Sequence, residues 1–145
     1  MYFCKKIEVG RIIGIDYGQK RVGLAVTDES ATFAFPLETV HAKDIIYFLK
    51  EYVLKEKVDC FVVGLPITLK NEPSESARFV EPFVRLLKKT FPHIPVERID
   101  ERFTSKMASA VILQSVSKKK DRQDKSLIDK TSAAIILQSF LESRK

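Results

Sequence analysis

Three carboxylates stand where the sequence places an acid beside a predicted strand end or helix start. Asp16 ends the apolar run of "RIIGIDYGQKRVGLAVTD", residues 11–28, and a glycine and two basic residues follow it closely. Glu101 comes directly after the run "VERID", and Asp129 lies near the start of a C-terminal helical pattern. Taken alone, an Asp beside a Gly is ordinary turn chemistry, because its short side chain bonds nearby backbone. A functional interpretation therefore requires the fold to bring these acids together.

Asp129 has an unusual position for a solvated charge. Ala133, Ile136 and Phe140 follow it at plus four, seven and eleven, so the carboxylate lies on an otherwise apolar helix face. A charge directed at a core requires a partner. Ser126, three residues earlier, offers a capping-box alternative, although Glu or Gln is usual at the third position. Capping explains an acid in the first turn but not its apolar-face placement.

The acids near residue 100 belong to a predicted strand end, where ligands bind in open α/β sheets. Asp100 and Glu101 are both candidates to share a sheet edge with Asp16, and the residues alone do not choose between them. The alternative for Glu101 is a surface ion pair with Arg98 or Arg102, which contributes little to stability.

Acids at two strand ends and a helix start suit hard divalent cations, because Mg²⁺ takes oxygen ligands and retains waters for substrate. Two such ions activate a water and stabilise the leaving oxygen in phosphodiester cleavage. The chain has no P-loop, no nucleophile-elbow serine and no convincing Cys–His pair. Metal-dependent hydrolysis of a phosphodiester is therefore the predicted chemistry.

The elements that must position these acids follow an α/β order. Two β-branched runs flank "DYGQK" and predict a hairpin, and Pro36 marks the third strand as an edge strand because proline cannot donate to a ladder. Later strands alternate with helices, which predicts right-handed crossovers and a mixed sheet covered on both faces. The predicted strands are 11–15, 21–27, 33–40, 58–64 and 95–100, and the predicted helices lie within 43–57, around 79–87, over 105–114 and over about 127–141.

Length and composition indicate one globular domain over residues 1–145, with 45% hydrophobic and 30% charged residues. No apolar run approaches the roughly 20 residues of a membrane span, and no signal peptide is evident, so no membrane partner is expected. Cys4 and Cys60 lack metal-ligand spacing, and His41 and His93 are isolated from them, which argues against zinc. A reducing cytoplasmic location is expected.

Basic residues cluster near two of the candidate acids, and the net charge of +6 favours a polyanionic partner. Lys20 and Arg21 follow Asp16, and their alternative role is a solvated turn. A second patch precedes Asp129, and some of its bases are expected to be merely solvated. This patch favours backbone or shape recognition of structured nucleic acid, because nothing in it reads bases. Its predicted phosphate contacts are Lys118, Lys119, Lys120 and Arg122.

Four segments carry a family resemblance that covers nearly the full chain. They are "GIDYGQKRVGLA" at 14–25, "VVGLP" at 62–66, "DERFTS" at 100–105 and "IDKTSAAIILQSFL" at 128–141. Together they resemble the YqgF family, also called RuvX, of ribonuclease H-like resolvases and pre-ribosomal RNA nucleases. The resemblance implies a ribonuclease H-like fold with three antiparallel strands followed by parallel strands, flanked by helices. It also implies that Asp16, Glu101 and Asp129 hold Mg²⁺ or Mn²⁺, with Glu101 preferred over Asp100.

The same resemblance implies a substrate, which is pre-16S ribosomal RNA at its 5′ end. Two alternatives remain: cleavage of four-way DNA junctions, which requires a dimer, and a non-catalytic RNA-binding role in ribosome assembly. The residues do not specify whether the chain is a monomer or a homodimer. One departure from the family is the segment "ITLKNEPSESARF" after "GLP", which contains no glycine.

Overall fold

A five-stranded mixed sheet forms the centre of the protein, which was analysed as a computed structural model. The structure describes residues 10–65, 77–100, 110, 112 and 125–143. The strands are β1 (Arg11–Tyr17), β2 (Arg21–Thr27), β3 (Ala34–His41), β4 (Val58–Leu65) and β5 (Val96–Asp100). A short 3-10 helix (Ala42–Asp44) leads into α1 (Ile45–Lys55), which is followed by α2 (Ala77–Thr90) and α3 (Lys125–Ser143). None of these helices is long and apolar enough to cross a membrane.

The first three strands form an antiparallel meander, and the last two add to β1 in parallel, in the order β3-β2-β1-β4-β5. β3 is an edge strand, as Pro36 predicts, and the β2–β3 register shifts where Ala25 pairs with Pro36. A bulge at this point fits the missing proline donor. The predicted ribonuclease H-like order of antiparallel and then parallel strands is confirmed.

Helices cover both faces of the sheet, so side chains alternate between two apolar clusters. One cluster joins Ile13, Ile15 and Phe61 to α1 and α2, and the other joins Ile12 and Val62 to α3. Phe61, Val62 and Val63 of β4 are fully buried, as expected for a central strand that is apolar along its length. Odd-numbered residues of β1 therefore face α1 and α2, whereas even-numbered residues face α3.

Two predicted boundaries differ from the structure or lie beyond what it describes. Helix α3 begins at Lys125 rather than at about Leu127, so Ser126 lies inside the helix and not at the preceding cap position. The capping-box alternative for Asp129 is not supported. The predicted helix over 105–114 lies outside the described residues except for Ala110 and Ile112, which are both helical.

Candidate active site

Two strand glycines let α3 lie unusually close to the sheet. A Cβ on Gly23 would stand 2.0 Å from the backbone oxygen of Asp129, and a Cβ on Gly14 would stand 2.7 Å from the Cβ of Leu137. Side chains at these positions would hold the helix away from the strands. A glycine in a strand interior often marks such a close backbone approach. Gly14 and Gly23 are thus a sequence signal for a close approach, although they do not identify the element that approaches.

The close approach brings Asp16 and Asp129 to one place. Asp16 is paired with Gly23 across the β1–β2 ladder, and Gly23 lies beneath the backbone of Asp129. Asp16 also belongs to the even-numbered positions of β1 that face α3. The two carboxylates therefore meet between the end of β1 and the first turns of α3, although 113 residues separate them in sequence.

The pairing leaves Asp16 in an unfavourable electrostatic position. Burial, and secondarily the negative charge of Asp129, raises the pKa of Asp16 from 3.8 to about 6. Among the described residues, no hydrogen bond supports its carboxylate. A shielded acid beside a like charge is an arrangement that recurs at functional sites, because structural acids are usually paired with donors.

Arg21 contacts the other carboxylate of the pair. Its Nε donates to Oδ2 of Asp129 at 2.6 Å, between side chains that are 48% and 23% exposed, respectively. This ion pair is the partner that an acid on an apolar helix face requires, and it joins β2 to α3. The sequence predicts that Arg21 contacts phosphate, and it does not predict the ion pair between Arg21 and Asp129.

Side chains of β5 alternate between the two faces of the sheet, and this alternation decides on which face Asp100 lies. Val96 packs with the α1/α2 cluster and Arg98 forms a two-pronged contact with Glu81 of α2, at 2.9 and 3.3 Å. Ile99 packs instead with the α3 cluster. Asp100 therefore lies on the α2 side of the sheet, on the face opposite Asp16, and β4 separates their strands.

The remaining predicted site residues are placed only in part. Glu101 lies outside the described residues, as do Lys118, Lys119, Lys120 and Arg122. Lys20 is exposed in the β1–β2 turn beside the candidate site. Within the described ranges, no three His, Cys, Asp or Glu side chains converge on one point. The described part of the site is thus an acid pair, a guanidinium and a neighbouring lysine.

Known proteins define the class to which this chain belongs. The sheet order is that of the ribonuclease H-like α/β proteins, and two solved structures resemble this fold over nearly the whole chain. "T. thermophilus RuvC in complex with Holliday junction substrate" matches with a TM-score of 0.60 and 16% identity, covering 93% of this chain and 96% of that one. A Fowlpox virus resolvase, crystallised with Holliday junction DNA, matches with a TM-score of 0.60 and 14% identity, covering 92% of this chain and 98% of that one. At these identities the likeness establishes the fold.

The chain belongs to the RuvX family, whose model, described as Holliday junction resolvase, matches residues 10–143. A relative from Bacteroides thetaiotaomicron is 50% identical over 137 residues, covering 94% of this chain and 99% of its own length. A relative from Parabacteroides distasonis is 51% identical over 137 residues, covering 94% and 98%, respectively. Both carry the name "Putative pre-16S rRNA nuclease". The predicted family is confirmed, and a nuclease function fits it.

Proposed function

We propose that the protein is a nuclease that hydrolyses phosphodiester bonds at the Asp16–Asp129 pair with the aid of divalent cations. The observation that carries this proposal is the shielded, like-charged pair itself, in which Asp16 lacks a hydrogen-bond donor among the described residues. Arg21 neutralises Asp129, but the burial of Asp16 beside that acid still opposes stability unless a further cation binds at the pair. Function, rather than folding, is the reason to retain them.

The donor chemistry of the pair fits Mg²⁺ or Mn²⁺. The pair offers carboxylate oxygens only, which hard cations prefer, and no thiolate or imidazole that would favour zinc. Two bound ions would activate the attacking water and stabilise the leaving oxygen. Arg21 holds the Asp129 carboxylate in one orientation, and exposed Lys20 attracts the phosphate backbone towards the same edge.

Glu101 is proposed as the third acid. Asp100, the other candidate, belongs to the face that packs on α2, which makes it a poor neighbour for Asp16. Glu101, the next residue in the sequence, is the remaining acid at this strand end. Asp100→Asn is therefore expected to keep activity, whereas Glu101→Gln is expected to lose it.

The proposed substrate is pre-16S ribosomal RNA, which the names of the two bacterial relatives support. Its 5′ end is the proposed cleavage region, as the resemblance of the sequence to the family implies. Purified protein with Mg²⁺ or Mn²⁺ should shorten a precursor transcript, and Asp16→Asn should abolish the cleavage. Asp59→Asn is the matched control, because Asp59 lies at the opposite end of the sheet and accepts the backbone N–H of Gly10 at 2.6 Å. Equal cleavage by wild type and Asp16→Asn would refute the assignment.

A second candidate substrate is the four-way DNA junction, favoured by the description of the family model. Symmetric junction cleavage requires two active sites, so it predicts a dimer in sedimentation experiments and paired nicks on opposing strands. A monomer that cleaves only the RNA supports the first proposal. Tight RNA binding without cleavage of either substrate, with no loss on Asp129→Asn, would instead indicate a non-catalytic RNA-binding role.

A further inference from the structure

A groove of about 680 Å³ lies on the face of the sheet opposite α3, at the same end as Asp16. Its walls come from the end of β1, the 3-10 helix with the start of α1, and α2 between Arg78 and Leu86. The volume is typical of sites that bind a small molecule or one unit of a polymer. The residues that line it include Tyr17, Lys43, Arg78, Phe79 and Phe83.

Aromatic rings form one wall of this groove. Tyr17 stacks on Phe83 with ring centroids 4.3 Å apart and planes 17° apart, which fixes both rings. Phe79 is 38% exposed, and the guanidinium of Arg78 stands 5.4 Å from its ring centroid. A large apolar side chain left open beside a cation is typical of a surface that stacks with a flat, electron-rich partner.

The charges around the groove favour an anionic partner. Lys43 and Arg78 line it on opposite walls, and no carboxylate belongs to the described residues that line it. The wall with Lys43 is tied to the β1–β2 turn, because the N–H of Ala42 donates to the carbonyl of Lys20 at 2.9 Å. The backbone next to Lys43 is thus held beside the turn that follows the strand carrying Asp16.

We infer that this groove binds an unpaired nucleobase of the substrate, close to the phosphate that is cleaved. The inference rests on the proposed nuclease function and deepens it. Tyr17 directly follows Asp16 in β1. A single-stranded nucleic acid that passes this end of the sheet therefore reaches both the acid pair and the groove within a few nucleotides. The base stacks on Phe79, and Lys43 and Arg78 neutralise the flanking phosphates. An apolar protein segment would gain nothing from these two cations.

Binding of a labelled single-stranded RNA oligonucleotide, followed by fluorescence anisotropy in EDTA, tests the inference. Without divalent ions no cleavage occurs, so binding is measured separately from the proposed chemistry. Phe79→Leu keeps apolar volume but removes the ring, and it should weaken binding by about 5- to 150-fold, the range expected for loss of one stacked base. Phe79→Trp should restore it. Tyr47→Leu is the control, because Tyr47 is 69% exposed and does not line the groove.

The cations are tested through salt dependence. Arg78→Gln and Lys43→Gln should each reduce the slope of log K against log salt by about 0.7, the value for one phosphate contact on a single strand. Lys50→Gln, on the exposed side of α1, should leave the slope unchanged.

Equal affinity of wild type and Phe79→Leu for the oligonucleotide would overturn the inference. Loss of binding in Arg78→Gln with none in Phe79→Leu would overturn it as well, because charge without stacking does not place a base. If the Phe79 series behaves as expected while no RNA is cleaved with metal, the groove assignment holds and the nuclease proposal fails.

Discussion

Gly23→Ala perturbs the candidate site without removing any of its functional groups. Gly23 lies in β2, opposite Asp16 and beneath the backbone of Asp129. The added Cβ would lie 2.0 Å from the Asp129 carbonyl oxygen, whereas real Cβ atoms essentially never come within 3.0 Å of another heavy atom. The start of α3 must therefore retreat by about 1 Å. This movement carries the Asp129 carboxylate away from Asp16.

The retreat of α3 in Gly23→Ala should lower both stability and turnover, and turnover by much more. Overpacking of this kind costs about 1–3 kcal/mol of unfolding free energy, which lowers Tm by several degrees. A misplacement of about 1 Å between catalytic groups reduces turnover by about 100-fold. The loss of activity should therefore greatly exceed what the small unfolded fraction explains at a temperature well below Tm.

Thermal denaturation and RNA cleavage, measured on the same preparations, test this expectation. Gly10→Ala is the matched control, because its Cβ would meet Asp59 and the carbonyl of Lys57 at 2.7–2.9 Å, at the opposite end of the sheet. It should lower Tm yet keep activity below Tm. If Gly23→Ala retained wild-type cleavage, or if both variants lost activity in proportion to stability, the close approach of α3 would not be what assembles the site.

Two further predictions concern the charges of the site. Asp16→Asn should stabilise the metal-free protein above about pH 6, by up to about 3 kcal/mol, because the raised pKa of Asp16 means that its ionisation opposes folding. The free energy of unfolding of the wild type should accordingly fall as pH rises from about 4 to about 6. Denaturant titrations at both ends of this range should show that Asp16→Asn is more stable than the wild type only at the upper end. Equal stabilisation at both ends would contradict the raised pKa of Asp16. For the same reason, Mn²⁺ affinity measured by calorimetry should fall about tenfold per pH unit below about pH 6, and an affinity independent of pH there would exclude Asp16 as a ligand. The effects of Arg21→Gln and Asp129→Asn on the free energy of unfolding should not add. The expected coupling, measured by denaturant unfolding, is about 0.5–1 kcal/mol because the ion pair is partly exposed. Strictly additive effects would show that the 2.6 Å contact contributes nothing to stability.

Much of the fold followed from local pattern. The β-branched runs around "DYGQK" predicted the hairpin, the apolar run of residues 58–64 predicted a strand, and Pro36 predicted an edge strand. These features depend on side-chain period and backbone donors within a few residues, which the sequence displays directly. The start of α3 at Lys125, two residues before the predicted position, did not follow, because helix ends depend on tertiary packing as well as on capping residues.

The candidate site was predictable in its members but not in their contacts. The sequence predicted Asp16 and Asp129 as site residues because each acid adjoins an apolar segment, and the structure brings them together. Their ion-pair partner did not follow from the sequence, because the Arg21–Asp129 contact joins residues 108 apart and depends on how closely α3 crosses β2. That distance is set by Gly23, and the sequence shows the strand glycine but not that α3 is the element that approaches it.

The most direct test of the central claim is a crystal structure of the protein soaked in Mn²⁺, with anomalous data collected to locate the ion. The account predicts an anomalous peak between the carboxylates of Asp16 and Asp129, and its loss in Asp16→Asn crystals soaked in the same way. A wild-type crystal with no peak at this pair, or with Mn²⁺ bound only elsewhere, would contradict the claim that these acids form a divalent-cation site.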